Sequence, residues 1–226
     1  KIEFENAIVT GGREAATSLI RSQRLVGHLH EFIKQELVLN GISTSKIYPP
    51  IGTCRGEKKF SGFFKQKDQD ISTLNNNDIP EIIVDGAIAG KTDGIGLDSS
   101  SKAISINVRG QLSSIRKNFD TLYERTFAEA LNLHMRIPKL VMGELYYLPL
   151  DAYDPDEMLN NKVAWKEKIP SYFIPSFNAL NGRTEHSELY KYERVCLLII
   201  DFKQNPPTIV SDNDLVKNKV ISKEQI

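Results

Sequence analysis

The chain contains 226 residues, of which 40% are hydrophobic and 26% are charged, and its 29 lysines and arginines balance its 29 acidic residues. This length is enough for one large domain with a substantial core, and the balanced charge argues against a nucleic-acid coat protein or a basic membrane binder. The two cysteines, Cys54 and Cys196, are far apart, which argues against a disulfide framework or a cysteine-based zinc site.

The longest apolar run, at residues 195–200, is far shorter than the roughly 20 residues that a membrane-spanning helix needs. The amino end of the sequence lacks the basic and apolar pattern of a secretion signal. The sequence therefore predicts a soluble, cytoplasmic protein.

The first predicted element is a long helix at residues 13–40, because apolar residues recur there at helical spacing. Gly41 follows at the position of a helix C-cap glycine. The apolar positions are Ala16, Leu19, Ile20, Val26, Leu29, Ile33 and Leu37, with Gln23 interrupting the stripe. Residues 48–62 are then predicted to form a loop that carries positive charge.

Five later segments have the composition of strands, at residues 70–74, 81–90, 102–108, 139–150 and 194–202. Residues 102–108 alternate between apolar and polar side chains, which is the pattern of a half-buried strand. Residues 118–133 carry an apolar helical face, and residues 151–162 form a long polar excursion. This order predicts an α/β fold with one mixed central β-sheet flanked by helices on both faces. The polar tail from Ser211 onward is expected to close an edge of the sheet.

A polar corner at the end of the third predicted strand is the first candidate for chemistry. Arg109 shares one side of that strand with Ser105, Asn107 and Gln111. A guanidinium group remains charged at any working pH and binds phosphate oxygens through two parallel N–H groups. The corner therefore favours the binding of a phosphate group.

Acidic residues near this corner suggest a metal. Glu124 and Glu129 lie on the helix that follows Arg109, and Asp70 and Asp85 lie near the boundaries of earlier strands. A helix carboxylate and a strand aspartate together would form an oxygen-rich pocket for Mg²⁺, as phosphodiester hydrolysis requires. An arginine at a strand end more often forms a surface ion pair with a helix glutamate, which would serve only the structure.

Three segments resemble type II restriction endonucleases of the PD-(D/E)XK nuclease superfamily. They are "GFFKQKDQDI" at residues 62–71, "SINVRGQLSSIRKNFDTLYERTFAEALNLH" at residues 105–134 and "NGRTEHSELYKYERVCLLIIDF" at residues 181–202. The middle segment is the most specific of the three. The family pattern is an acid on one strand, followed on the next strand by an acid, any residue and a lysine, around Mg²⁺.

This resemblance implies roles for particular residues. Asn107 stands where the second acid belongs and Arg109 where the lysine belongs, so the missing carboxylate is expected from Glu124, with Glu129 as the second choice. Because arginine cannot act as a general base, its implied role is electrostatic. Proton removal then falls to water at the metal, or to Lys65 or Lys67. The first metal ligand is expected to be Asp70, with Asp85 close behind.

Recognition of DNA would need donors for base edges as well as for phosphates. Asn181 and Arg183 lie beside Gly182 in a polar loop that suits entry into a groove, although a solvated turn is the equal alternative. Lys65 and Lys67 end a basic stretch that is interleaved with phenylalanines and suits contact with phosphates. A neutral protein can carry such a local basic cleft.

The resemblance thus predicts a single nuclease domain at residues 1–226, with an N-terminal helix and loop at 1–60, a catalytic core at 61–150 and a recognition loop with closing strands at 151–226. It implies a Mg²⁺-dependent, sequence-specific endonuclease that cuts double-stranded DNA to leave 5′-phosphate ends. A homodimer and a cognate DNA methyltransferase as genetic partner are expected. The alternative is a non-catalytic DNA-binding protein on a degenerate nuclease fold.

Overall fold

A computed structural model of the protein describes residues 1–22, 24–48, 50–52, 82–85, 104–136 and 138–217. For residues 82–85 it describes the backbone alone. Two of the strand segments predicted from the sequence are therefore not described in full. The segment at residues 70–74 lies outside these ranges, and the segment at residues 81–90 is described only at residues 82–85.

Eight strands are found in the described residues. They are β1 (Ile47–Tyr48), β2 (Ile82–Asp85), β3 (Ile104–Gly110), β4 (Val141–Pro149), β5 (Asp151–Tyr153), β6 (Trp165–Lys168), β7 (Arg194–Asp201) and β8 (Thr208–Ile209). The central sheet has the order β1-β2-β3-β4-β7-β8, in which the first five strands are parallel and β8 is antiparallel to β7. Strands β5 and β6 form a separate antiparallel pair.

Helices cover both faces of this sheet. They are α1 (Ile2–Arg21), α2 (Arg24–Leu39), α3 (Ile115–Arg136), α4 (Phe173–Ala179) and α5 (Asp212–Lys217). On one face, Tyr146 and Ile199 pack in one core cluster with Phe173 and Phe177 of α4. On the other face, Val108 of β3 packs against α2, and Tyr147 of β4 shares a cluster with residues of α1. The prediction of a mixed sheet flanked by helices is confirmed.

The predicted first helix is divided in two. Helix α1 begins at Ile2 and ends at Arg21, and α2 begins at Arg24. A kink inside α1 falls at Gly12, whose φ of 60° suits glycine, and a Cβ there would lie 2.8 Å from the Met158 carbonyl oxygen. The helix end at Gly41 is confirmed, because its φ is 90° and the Ile42 N–H donates to the Leu37 carbonyl in a Schellman arrangement.

The polar excursion at residues 151–162 contains more structure than expected. Its first residues form β5, in which Ala152 and Tyr153 are buried, and Tyr153 packs edge-on against Phe4 with 5.1 Å between the ring centroids. The edge strand of the sheet is β8, which precedes Ser211, whereas the described part of the tail forms α5. Leu215 of α5 is buried in the core, which explains why this polar segment is helical.

In the part of the chain that the structure describes, no helix combines the length and the apolar character that crossing a bilayer requires.

Candidate functional site

The carboxyl end of β3 places Arg109 between two glutamates. Its Nη2 donates to Oε2 of Glu129 on α3, and its Nε lies 3.6 Å from Oε1 of Glu144 on β4. Its Nη1 lies 3.4 Å from the hydroxyl oxygen of Thr126, and 20% of its side chain is exposed. Burial alone would lower the pKa of Arg109, because it disfavours the charged form. The carboxylates of Glu144 and Glu129 outweigh this effect and raise the pKa well above its ordinary value.

Asn107 lies two residues before Arg109 on β3, between strands β2 and β4. Its backbone is in register with Asp85 of β2 and with Glu144 of β4. Its side-chain nitrogen donates to Oε2 of Glu129 at 3.2 Å, whereas its side-chain oxygen is buried without a hydrogen bond from the described residues. Three neighbouring parallel strands thus carry Asp85, Asn107 and Glu144 in one row.

Glu144 was not expected from the sequence. It is 2% exposed, and neither of its carboxylate oxygens accepts a hydrogen bond from the described residues. Burial raises the pKa of Glu144 to about 7, although Arg109 opposes the shift. The one available signal was a single acid inside the otherwise apolar segment at residues 139–150, since a charge on a buried strand needs a partner.

Tyr192 lies in the loop before β7 and borders the site. Its ring is fully buried, and its hydroxyl donates to the Thr126 carbonyl oxygen at 3.0 Å. Burial, together with the nearby Glu129 and Glu144 carboxylates, raises the pKa of Tyr192 well above the ordinary value. We refer to Asn107, Arg109, Thr126, Glu129, Glu144 and Tyr192 as the Arg109 cluster.

The two helix acids have different environments. Glu129 is buried against Arg109, whereas Glu124 is exposed on α3. Five residues separate them, which rotates one side chain about 140° from the other around the helix axis. The structure therefore places Glu129, the second choice from the sequence, beside Arg109, and leaves Glu124 outside the Arg109 cluster.

Gln111 stabilises the turn between β3 and α3. Its side-chain nitrogen donates to the carbonyl oxygens of Ser113 and Ser114, each at 3.0 Å. Ser114 has a φ of 53°, so these hydrogen bonds support an uncommon backbone conformation. Gln111 therefore positions the start of α3.

The two loop residues predicted to contact DNA have partners within the protein. Arg183 is 6% exposed in its side chain, and its Nη1 donates to Oε1 of Glu193 at 3.0 Å. The side-chain oxygen of Asn181 accepts the Val195 N–H at 2.8 Å. Both side chains therefore anchor the loop to the protein, and its exposed tip is at residues 184–187.

The remaining predicted residues are not described in full. Asp70, Lys65 and Lys67 lie outside the described residues, and Asp85 is placed by its backbone alone. Among the candidates for the first metal ligand, Asp85 is thus the one whose strand the structure places beside Asn107.

The Arg109 cluster offers hard oxygen donors of the kind that Mg²⁺ prefers. They are the side-chain oxygen of Asn107 and both oxygens of Glu144, which are buried and accept no hydrogen bond from the described residues. Mg²⁺ commonly takes only one or two carboxylates from a protein, with waters and substrate phosphates as its other ligands. No group of three acidic, histidine or cysteine side chains that could hold a metal is found in the described residues. A further acid at the Asp85 position would complete a suitable set.

No protein-family model, no curated protein and no solved structure matches this chain.

Proposed function

We propose that the protein is a Mg²⁺-dependent, type II site-specific endonuclease that hydrolyses double-stranded DNA. The observation that carries this proposal is the row of Asp85, Asn107 and Glu144 on three neighbouring strands, with Arg109 two residues further along β3. An arginine beside oxygen ligands is the combination that phosphodiester hydrolysis uses. The resemblance to PD-(D/E)XK nucleases supports the same assignment.

Asp85, Asn107 and Glu144 are the residues that we propose to hold the cation. The buried oxygens of Asn107 and Glu144 accept no hydrogen bond from the described residues, so a metal that bound them would compete with the ion pair between Glu144 and Arg109. When bound, Mg²⁺ supplies Lewis acidity toward a phosphoryl oxygen. Glu144 would have to be ionised for this role, so cation binding competes with its proton.

Arg109 has an electrostatic role in this proposal. Its guanidinium group cannot remove a proton, but it offsets the negative charge that accumulates on the phosphoryl group as water attacks. Arg109 is reachable from solvent, because it lies next to the last residue of β3 and 20% of its side chain is exposed. Glu129 and Thr126 fix the orientation of the guanidinium group from α3.

Incubation of the purified protein with plasmid and phage DNA tests the proposal. We expect discrete fragments with Mg²⁺ and none with EDTA, and we expect Glu144→Gln to reduce the rate at least about 100-fold. Glu124→Gln is the matched control, since it removes the same charge from an exposed site and should cut at the normal rate. Absence of metal-dependent fragments on any substrate would refute the endonuclease assignment.

A non-catalytic DNA-binding protein is the second candidate. It is favoured by the two carboxylates that already face Arg109, and by the complete burial of the Glu144 side chain. Such a buried group of charges can serve the structure alone. This candidate predicts a shift of DNA in gels, with or without Mg²⁺, and no cleavage.

The proposed endonuclease acts as a cytoplasmic homodimer. A two-fold symmetric dimer presents one active site to each strand of a palindromic target. Light scattering after size-exclusion chromatography should give twice the chain mass, and a monomeric mass in the presence of cognate DNA would contradict the dimer. We also expect the gene to lie beside one for a DNA methyltransferase that protects the same sequence.

A further inference from the structure

Each nitrogen of the Arg109 guanidinium group already has an acceptor nearby within the protein. Each of its three side-chain nitrogens lies within 3.6 Å of an acceptor on Glu129, Glu144 or Thr126. A phosphodiester binds a guanidinium group best through two parallel N–H donors. A phosphate that binds Arg109 through two parallel N–H groups must therefore compete with at least one of the present partners.

Glu129 is the partner on the more open side. The Glu144 side chain is completely buried on the central strand β4, whereas those of Glu129 and Arg109 are 7% and 20% exposed. A ligand that arrives from solvent thus meets the pair of Arg109 and Glu129 first. Glu129 also binds through the terminal nitrogen, which is the end of the guanidinium group that a phosphate would approach.

We propose that Glu129 is an internal competitor, which holds Arg109 in a neutralised pair until a DNA phosphate displaces it. This regulation of the site rests on the proposed function, because it takes a phosphodiester to be the ligand of Arg109. Exchange of one anion for another preserves the charge balance around Arg109, so the cluster can open without leaving an unpaired buried cation. Without a phosphate, the closed pair keeps Arg109 unavailable to other anions.

The decisive variant is Glu129→Gln, which keeps the size of the side chain and an oxygen acceptor but removes the competing charge. We expect it to bind a 30-base-pair DNA duplex about tenfold more tightly than the unmodified protein, measured by fluorescence anisotropy in EDTA. A residue that only stabilised the fold would weaken binding when replaced, so a gain in affinity separates the two roles.

Two controls isolate the mechanism. Glu124→Gln removes the same charge from an exposed position of α3, so general attraction to DNA should change its affinity less than about twofold. Arg109→Gln combined with Glu129→Gln should abolish the gain, because the gain depends on the guanidinium group. An equal affinity of Glu129→Gln and Glu124→Gln would overturn the proposal while leaving DNA binding by the protein intact.

A second measurement avoids dependence on DNA binding. The Nε–H signal of Arg109 in ¹H–¹⁵N spectra should shift at about tenfold lower inorganic pyrophosphate in Glu129→Gln than in the unmodified protein. This result in a protein that never cuts DNA would retain the competition and reject the nuclease. If Glu129→Gln fails to fold, Glu129→Asp takes its place, because its shorter side chain weakens the same pair, and an unchanged midpoint for that variant refutes the competition.

Discussion

At the scale of single residues, the main result is that Arg109 has two acidic neighbours on different elements. An arginine placed at a strand end could be predicted from the sequence, and so could an acid on the next helix. Which acid it meets depends on the rotation of α3 around its axis, which the spacing of residues 109, 124 and 129 does not fix. The second neighbour, Glu144, lies 35 positions further along the chain, on an adjacent strand.

The pKa of Glu144 leads to a prediction on stability. Its folded value of about 7 exceeds the ordinary value of 4.5, so the folded state keeps a proton that the unfolded state loses. The free energy of unfolding should therefore fall as the pH rises from about 4.5 to about 7, by roughly 3 kcal/mol in total. Glu144→Gln cannot ionise and should lack this fall.

Urea unfolding in EDTA at several pH values measures this effect. The stability of Glu144→Gln relative to the unmodified protein should rise across the pH window from about 4.5 to about 7 and stay constant above it. Glu124→Gln changes an exposed acid and should follow the unmodified protein throughout. Parallel profiles for the Glu144→Gln and unmodified proteins would show that Glu144 titrates normally.

At the scale of elements, the pairing of β3 with β4 depends on a glycine. Gly110 lies opposite Tyr147, and a Cβ at this position would lie 1.8 Å from Cε1 of that ring. Tyr147 is buried, so its ring cannot move aside without disturbing its neighbours. We expect Gly110→Ala to lower the free energy of unfolding by about 1–3 kcal/mol through overpacking.

A neighbouring glycine provides the control for this prediction. Gly143 lies on β4, and a Cβ there would meet Ile106 at 3.6 Å, which is an ordinary contact. Gly143→Ala should therefore leave stability within about 0.5 kcal/mol of the unmodified protein, or raise it slightly. Equal urea midpoints for the two alanine variants would mean that the Tyr147 ring accommodates the added methyl group.

Local patterns predicted some elements and missed others. The helix end at Gly41, strands β3, β4 and β7, and helix α3 agree with the sequence apart from their exact ends, because periodicity and turn residues determine them locally. Strand β5 was missed because Tyr153, its buried anchor, packs against Phe4, which is distant in sequence. The pairing of Arg183 was missed for a different reason, since the sequence of a loop does not show whether its arginine contacts a nearby acid such as Glu193 or solvent.

At the scale of the whole molecule, one sheet carries a layer of helices on each of its two faces. Phe177 of α4 packs on Tyr146 on one side, with 5.1 Å between ring centroids, and Phe4 of α1 shares a core cluster with Tyr147 on the other. Successive side chains of a strand point to opposite faces of the sheet, so Tyr146 and Tyr147 of β4 belong to different clusters. Loss of either layer therefore leaves the shared sheet exposed on one face.

This arrangement predicts that both layers unfold together. Trp165, the one tryptophan of the chain, packs in the layer of Phe4, so its fluorescence reports on that layer. Phe177→Ala lies in the opposite layer, yet it should shift the fluorescence transition by the same amount as the circular dichroism transition. The expected loss is about 3–5 kcal/mol, which is the usual effect of truncating a buried phenylalanine. Two separate transitions in this variant, with the fluorescence midpoint unchanged, would mean that the layers fold independently.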